Sequence, residues 1–202
     1  MSSTWSSSNW KERLTQNLEP ILRSKNLEAE ISTYQGVPFA LFAYPPTAER
    51  QTRKEVVSLS KRLEQLGSRS PNLMSMADLL FEIIQESFPP DGSDLFEAER
   101  CSSDEPEVRL ERLQSMMTEL LSSIPQKIKE RAQKLSPSKD MIFIYRVGAL
   151  YPAYRASALL ENLMGDVQVP TILFYPGTRT GRNSLRFMDS LDAIHSYRHK
   201  IY

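Results

Sequence analysis

Three short apolar runs, each set between chain breakers or polar turns, constrain this chain more than any other feature. They are Pro38-Phe39-Ala40-Leu41-Phe42-Ala43-Tyr44, Met141-Ile142-Phe143-Ile144-Tyr145 and Val169-Pro170-Thr171-Ile172-Leu173-Phe174-Tyr175. None alternates polar with apolar residues, so each reads as a strand covered on both faces. Gly36 and Pro45-Pro46 bound the first, and Pro176-Gly177 is expected to stop the third. Helical patterns separate the runs, and strands joined through helices lie parallel. The expected fold class is α/β, a three-layer sandwich with a mainly parallel central sheet and helices on both faces. At 202 residues the chain is expected to form a single domain over 1–202.

The connecting segments have their own signatures. Trp10, Leu14, Leu18, Ile21 and Leu22 recur at helical spacing from Asn9 to about Ser24, with Asn9 and Glu12 in a capping-box pattern and Pro20 bending the last turn. Glu49 to Leu66 is a helix with Val56, Leu59, Leu63 and Leu66 on one side and charges on the other; Gly67 stands where a C-terminal cap belongs. Asn72 to Met76 reads as a short strand and Ala77 to Ser87 as a helix. Glu107 to Ser122 is a further helix, and Ser123 caps another that runs to Leu135 with Pro125 in its first turn. Ser157 to Met164 is a short helix ended by Gly165, and Ser184 to Met188 an edge strand.

Between Pro89 and Pro106 the character changes. Asp91, Asp94, Glu97, Glu99, Asp104 and Glu105 face a single cation, Arg100, which is the composition of a solvated acidic loop or linker at about 89–106. Over the whole chain 25 lysines and arginines balance 25 aspartates and glutamates, so no global field drives it onto nucleic acid or membrane. The one cysteine, Cys101, excludes an intramolecular disulfide and fits a reducing cytoplasm. The serine-rich start, Met1 to Asn9, lacks the pattern of a secretory leader, and no apolar run nears the roughly 20 residues needed to span a bilayer.

The familiar catalytic constellations are missing. A phosphate-binding loop needs G-x-x-x-x-G-K-[ST] between strand and helix, yet the first strand is followed by Tyr44-Pro45-Pro46-Thr47, whose prolines carry no amide donors. The nearest imitation, Gly177-Thr178-Arg179-Thr180-Gly181-Arg182-Asn183-Ser184, has the wrong spacing and arginine for lysine. No dinucleotide-binding G-x-G-x-x-G occurs, nor any serine in a G-x-S-x-G elbow. His195 and His199 stand at a spacing that could share a helix face, but no glutamate follows the first, so neither metal nor cofactor is expected. Cys101, with Arg100 alone among six carboxylates, lacks the basic environment that would lower its pKa and reads as inert.

A surface remains. Arginines cluster in the final third, interleaved with tyrosines, and the loops that follow parallel strands gather along one edge. The segments Arg146 to Arg155 and Pro176 to Arg186 are therefore expected to be neighbours. The candidate partner-binding residues are Arg146, Tyr151, Arg155, Tyr175, Pro176, Gly177, Arg179, Arg182 and Arg186. Arginine beside tyrosine suits the hot spots of a protein interface, and it also suits phosphates and bases. The bland alternative is that several of the tyrosines are core and several of the arginines pair with nearby carboxylates.

The same third resembles a known family. The run Arg146-Val147-Gly148-Ala149-Leu150-Tyr151-Pro152-Ala153-Tyr154-Arg155, the helix with Leu159-Leu160-Glu161-Asn162-Leu163, and Val169 to Gly177 are similar to the BrxB proteins of BREX bacteriophage-exclusion systems. Ser184-Leu185-Arg186-Phe187-Met188 and Tyr197-Arg198 are similar as well, while the ending Ser196-Tyr197-Arg198-His199 departs from the double tyrosine of that pattern. The resemblance implies a bacterial, cytoplasmic accessory protein of antiphage defence without catalytic activity of its own. It implies partners within the system: PglZ, the alkaline-phosphatase-like component, then the large ATPase and the methyltransferase. By analogy alone, the fold resembles a P-loop-type core without a phosphate loop. A non-catalytic adaptor is thus the leading expectation, and nucleic-acid binding through the C-terminal Arg/Tyr surface is its rival.

Overall fold

A computed structural model describes residues 9–32, 38–88, 106–179, 184–189, 194–195 and 200–202. The chain opens with a helical run over residues 10–22, α1. Its ends, Trp10–Glu12 and Glu19–Leu22, are α-helical, and its middle, Arg13–Leu18, is π-helical. The widened stretch lies immediately before Pro20, whose ring would crowd the carbonyl four residues back in an ordinary helix and which donates no hydrogen bond there. Asn9 makes no side-chain cap bond, and its backbone is not in the extended region that such a cap needs. A short helix, α2 (Leu27–Ile31), precedes the first strand, β1 (Phe39–Tyr44).

A 3-10 turn, Pro46–Ala48, leads into α3 (Glu49–Gln65), which closes at Gly67 with φ +65°, a value glycine adopts without strain. Then follow β2 (Ser70–Ser75), α4 (Met76–Ser87), α5 (Pro106–Ser122) and α6 (Ile124–Ala132). Ser75 caps α4, its Oγ accepting from the Asp78 amide at 3.3 Å. Ser123, the expected cap of α6, instead donates its hydroxyl back to the Leu120 carbonyl at 2.6 Å and closes α5. The last third holds β3 (Asp140–Tyr145), a 3-10 turn Val147–Leu150, α7 (Ala156–Leu163), β4 (Thr171–Arg179), β5 (Ser184–Phe187), β6 (Ile194–His195) and β7 (Lys200–Ile201). The acidic stretch at 89–105, with Cys101, lies outside the described residues, as do His199 and Arg182.

The strands order β2-β3-β4-β1-β7, every neighbouring pair parallel. Residues of the central strands alternate between the two faces, and each face is covered by helices. Ala40, Phe42, Tyr44, Met141, Phe143, Ile172 and Phe174 pack with α1, α2 and α3. Phe39, Leu41, Ala43, Ile142, Ile144, Leu173 and Tyr175 pack with α4 to α7. The molecule is therefore the three-layer α/β sandwich read from the apolar runs. Among the described residues no helix is long and apolar enough to cross a membrane.

One boundary is corrected. β4 does not stop at Pro176-Gly177 but runs to Arg179 and carries the antiparallel pairs Gly177↔Phe187, Thr178↔Arg186 and Arg179↔Leu185. Pro176 stands opposite Tyr44, the last residue of β1, so its missing amide falls where that ladder ends, and its carbonyl accepts from the Met188 amide at 2.9 Å. The breakers mark a change of partner, from a parallel ladder to an antiparallel one.

Candidate functional site

The C-terminal edge of the sheet is built by the connections that follow β1, β2, β3 and β4. β3 ends at Tyr145, and Arg146 turns the chain in the left-handed region at φ +59°. Its guanidinium reaches across to β2 and α4, donating to Ser75 Oγ at 3.2 Å and Asp78 Oδ1 at 2.5 Å. The 3-10 turn Val147–Leu150 then packs under the β4–β5 hairpin. Here Gly148 faces Met188 Sδ and Pro176 Cγ; a Cβ on it would meet them at 3.2 and 3.7 Å. Tyr151 lays its ring edge-on to Phe187 at 5.9 Å between centroids, and Tyr175 meets the same ring at 5.3 Å. The Tyr151–Pro152 peptide is cis. Arg155 occupies the position before α7, exposed to solvent. Tyr154, half-buried, receives a hydrogen bond from Asn162 Nδ2 at 3.4 Å, and burial pushes its phenol above the ordinary value.

Gly177 is required by close approach. A Cβ there would lie 2.1 Å from the Arg186 carbonyl oxygen and 2.8 Å from the Tyr175 ring, far inside any real contact, so the antiparallel ladder can only seat glycine. Beyond it Thr178 donates to Asp189 Oδ1 at 2.8 Å, and Arg186, directly opposite Thr178, is exposed. Arg179 is half-buried, and desolvation lowers its pKa. Desolvation first, and then the charge of Arg179, lower the pKa of Arg13. Arg13 belongs to α1; it donates to the Ala43 carbonyl at 2.8 Å and the Tyr202 carbonyl at 3.0 Å and lies over the Phe42 ring at 5.5 Å.

With this edge described, comparison with known proteins becomes informative. A family model described as "BREX protein BrxB" matches residues 73–201, from β2 through β7. The chain belongs to the BrxB family. A curated relative, the BREX protein BrxB of Bacillus cereus (strain H3081.97), is 25% identical over 186 residues, covering 89% of this chain and 93% of its own. No solved structure matches. The BrxB match contains the connections that follow β2, β3 and β4, while α1, α2, β1 and α3 precede it.

Within this BrxB chain the nine candidate residues separate by environment. The 146–155 and 176–186 segments are neighbours through Gly148, Tyr151, Pro176 and Phe187. Tyr175 is fully buried, and Pro176 and Gly177 are buried strand residues, so these three shape the edge from inside. Arg146 is engaged with Asp78. Arg155 and Arg186 are exposed, Tyr151 and Arg179 are half-exposed, and Arg182 lies outside the described residues. Sequence reasoning missed two features. Arg13 sits among Trp10 and Leu14 on an apolar helix face, where a lone cation signals a carbonyl to be reached. The second is a row of cations on α3, noted in the sequence only as a charged side.

Proposed function

We propose that this chain is a non-catalytic accessory subunit of a BREX antiphage system and acts by binding a protein partner, PglZ first, in the bacterial cytoplasm. The observation that carries the reading is membership of a BREX family over residues 73–201, since BREX is a multi-component system. The outward face of the C-terminal edge is the expected docking surface. Arg155 and Arg186 are exposed, the first just before α7 and the second on β5, and Tyr151 packs its ring against Phe187 of the same hairpin. Arginine and tyrosine recur as interface anchors, and a tyrosine already held by packing loses little further entropy on binding. The large ATPase and the methyltransferase are the next partners to test.

The test is size-exclusion chromatography after co-expression with PglZ from the same operon. The wild-type chain is expected to co-elute with PglZ in a stoichiometric complex, and Arg155→Glu/Arg186→Glu to elute apart with an unchanged circular dichroism spectrum. Separate elution of the wild-type chain would remove PglZ as its partner. Co-elution of the double variant would move the docking surface elsewhere.

A further inference from the structure

α3 carries two unlike surfaces. Thr52, Val56, Leu59, Ser60 and Leu63 are buried. On the other side Arg50, Arg53, Lys54 and Lys61, all exposed, line an open groove of about 560 Å³ together with Val57, Ser58 and Tyr145. At 100° and 1.5 Å per residue, the four cations fall within an arc of roughly 100° and span ~16 Å from Arg50 to Lys61. Of the three acids of the helix, Glu49 and Glu55 are engaged elsewhere, and Glu64, exposed, lies on the same arc beyond Lys61 but outside the groove lining. Glu49 accepts from the Tyr44 hydroxyl, and Glu55 pairs with Lys11 at 3.6 Å. Among the described residues no ion pair involves any of the four cations. In a chain whose 25 basic residues equal its 25 acidic ones, such a concentration is local and creates its own field.

We propose that this face of α3 binds the sugar–phosphate backbone of duplex DNA without reading its sequence. The cations are strung along a rigid rod above an open groove; they do not converge on a point, as recognition of one small anion would require. Each strand of a duplex carries one charge per ~3.4 Å of axis, so a ~16 Å row laid along one backbone faces on the order of five charges. The hydroxyls of Ser58 and Tyr145 add neutral donors of the kind that fix phosphates in register. Of the residues lining the groove Val57 and Tyr145 alone are apolar or aromatic, against four cations, a smaller apolar centre than protein hot spots are built on. The face is independent of the adaptor reading, since α3 and α7 cover opposite sides of the sheet.

Fluorescence anisotropy of the full chain with a labelled duplex of about 20 base pairs tests this, with salt varied from about 50 to 200 mM. Four phosphate contacts predict a slope of log K against log salt of about −3.6. Arg53→Gln/Lys54→Gln should bring it to about −1.8, with affinity on the order of a hundredfold lower at the lowest salt, and the charge-reversing Arg53→Glu/Lys54→Glu should weaken binding and flatten the slope further. Arg155→Glu/Arg186→Glu should bind like wild type. Three outcomes would overturn the proposal: no binding at the lowest salt, an unchanged slope in folded α3 variants, or a polyglutamate peptide binding as tightly as the duplex. The last would assign the face to an acidic protein segment.

Discussion

Glu19 shows how one residue joins two helices. It is buried on α1, its side chain 7% exposed, yet it accepts from Arg62 of α3 at 2.8 and 3.2 Å and from Arg23 one turn along its own helix. The Arg62 hydrogen bonds are the main reason its pKa lies below the ordinary glutamate value, against desolvation, which acts the other way. A depressed pKa means the folded state releases this proton more readily than the unfolded chain. Its contribution to stability is therefore complete above the unfolded value of about 4.3 and is lost as pH falls through the lower folded value. Glu19→Gln is expected to lower stability by about 1–2 kcal/mol near neutral pH, because Arg62 keeps a partner that bears no charge. Urea titrations at neutral pH and below about pH 4 should show the gap between the two proteins closing in acid. A gap of constant size would mean that the carboxylate is not linked to folding.

Among the elements, β7 does more than its length suggests. Lys200–Ile201 pairs in parallel with Ala40 and Leu41 of β1, and the Ala43 amide donates to the Tyr202 carbonyl at 3.2 Å. Arg13 ties that carbonyl and the Ala43 carbonyl to α1. Two residues of strand thus cover the flank of the most apolar strand, which would otherwise present unpaired backbone groups to solvent. Removing residues 200–202 is expected to lower the unfolding midpoint and to cause concentration-dependent association, read by light scattering. A monomeric truncated chain with an unchanged midpoint would show that β1 needs no such cover.

The whole molecule shares one sheet between two apolar layers. Phe42, Phe143 and Phe174 form a tilted and edge-on aromatic row on the α1–α3 side, with centroids 5.8 and 5.4 Å apart, while their strand neighbours serve the α4–α7 side. Neither layer can lose its sheet face without exposing the other, so unfolding should be a single cooperative transition. Tryptophan emission, with buried Trp10 reporting the α1 layer, and far-ultraviolet circular dichroism are expected to share one midpoint in urea. Separate midpoints would show that the α1–α3 layer melts alone.

The three apolar runs determined the fold class by themselves. A strand with no polar face must be covered twice, and strands joined through helices run parallel, so the sandwich follows from periodicity and order alone. Gly67 and Gly165, both at positive φ, were legible for the same local reason. What needed the tertiary structure was every feature in which distant segments meet. Pro176-Gly177 reads as a stop in one dimension, but opposite Tyr44 and beneath β5 it is a change of partner. Tyr175 and Arg186 look alike as members of an Arg/Tyr cluster, yet the sheet buries one completely and exposes the other. The cations of α3 were visible as a helical stripe, but only packing shows that Glu49 and Glu55 are drawn off to Tyr44 and Lys11. Local pattern decides which element a segment forms; charge balance and exposure belong to the neighbours that the fold supplies.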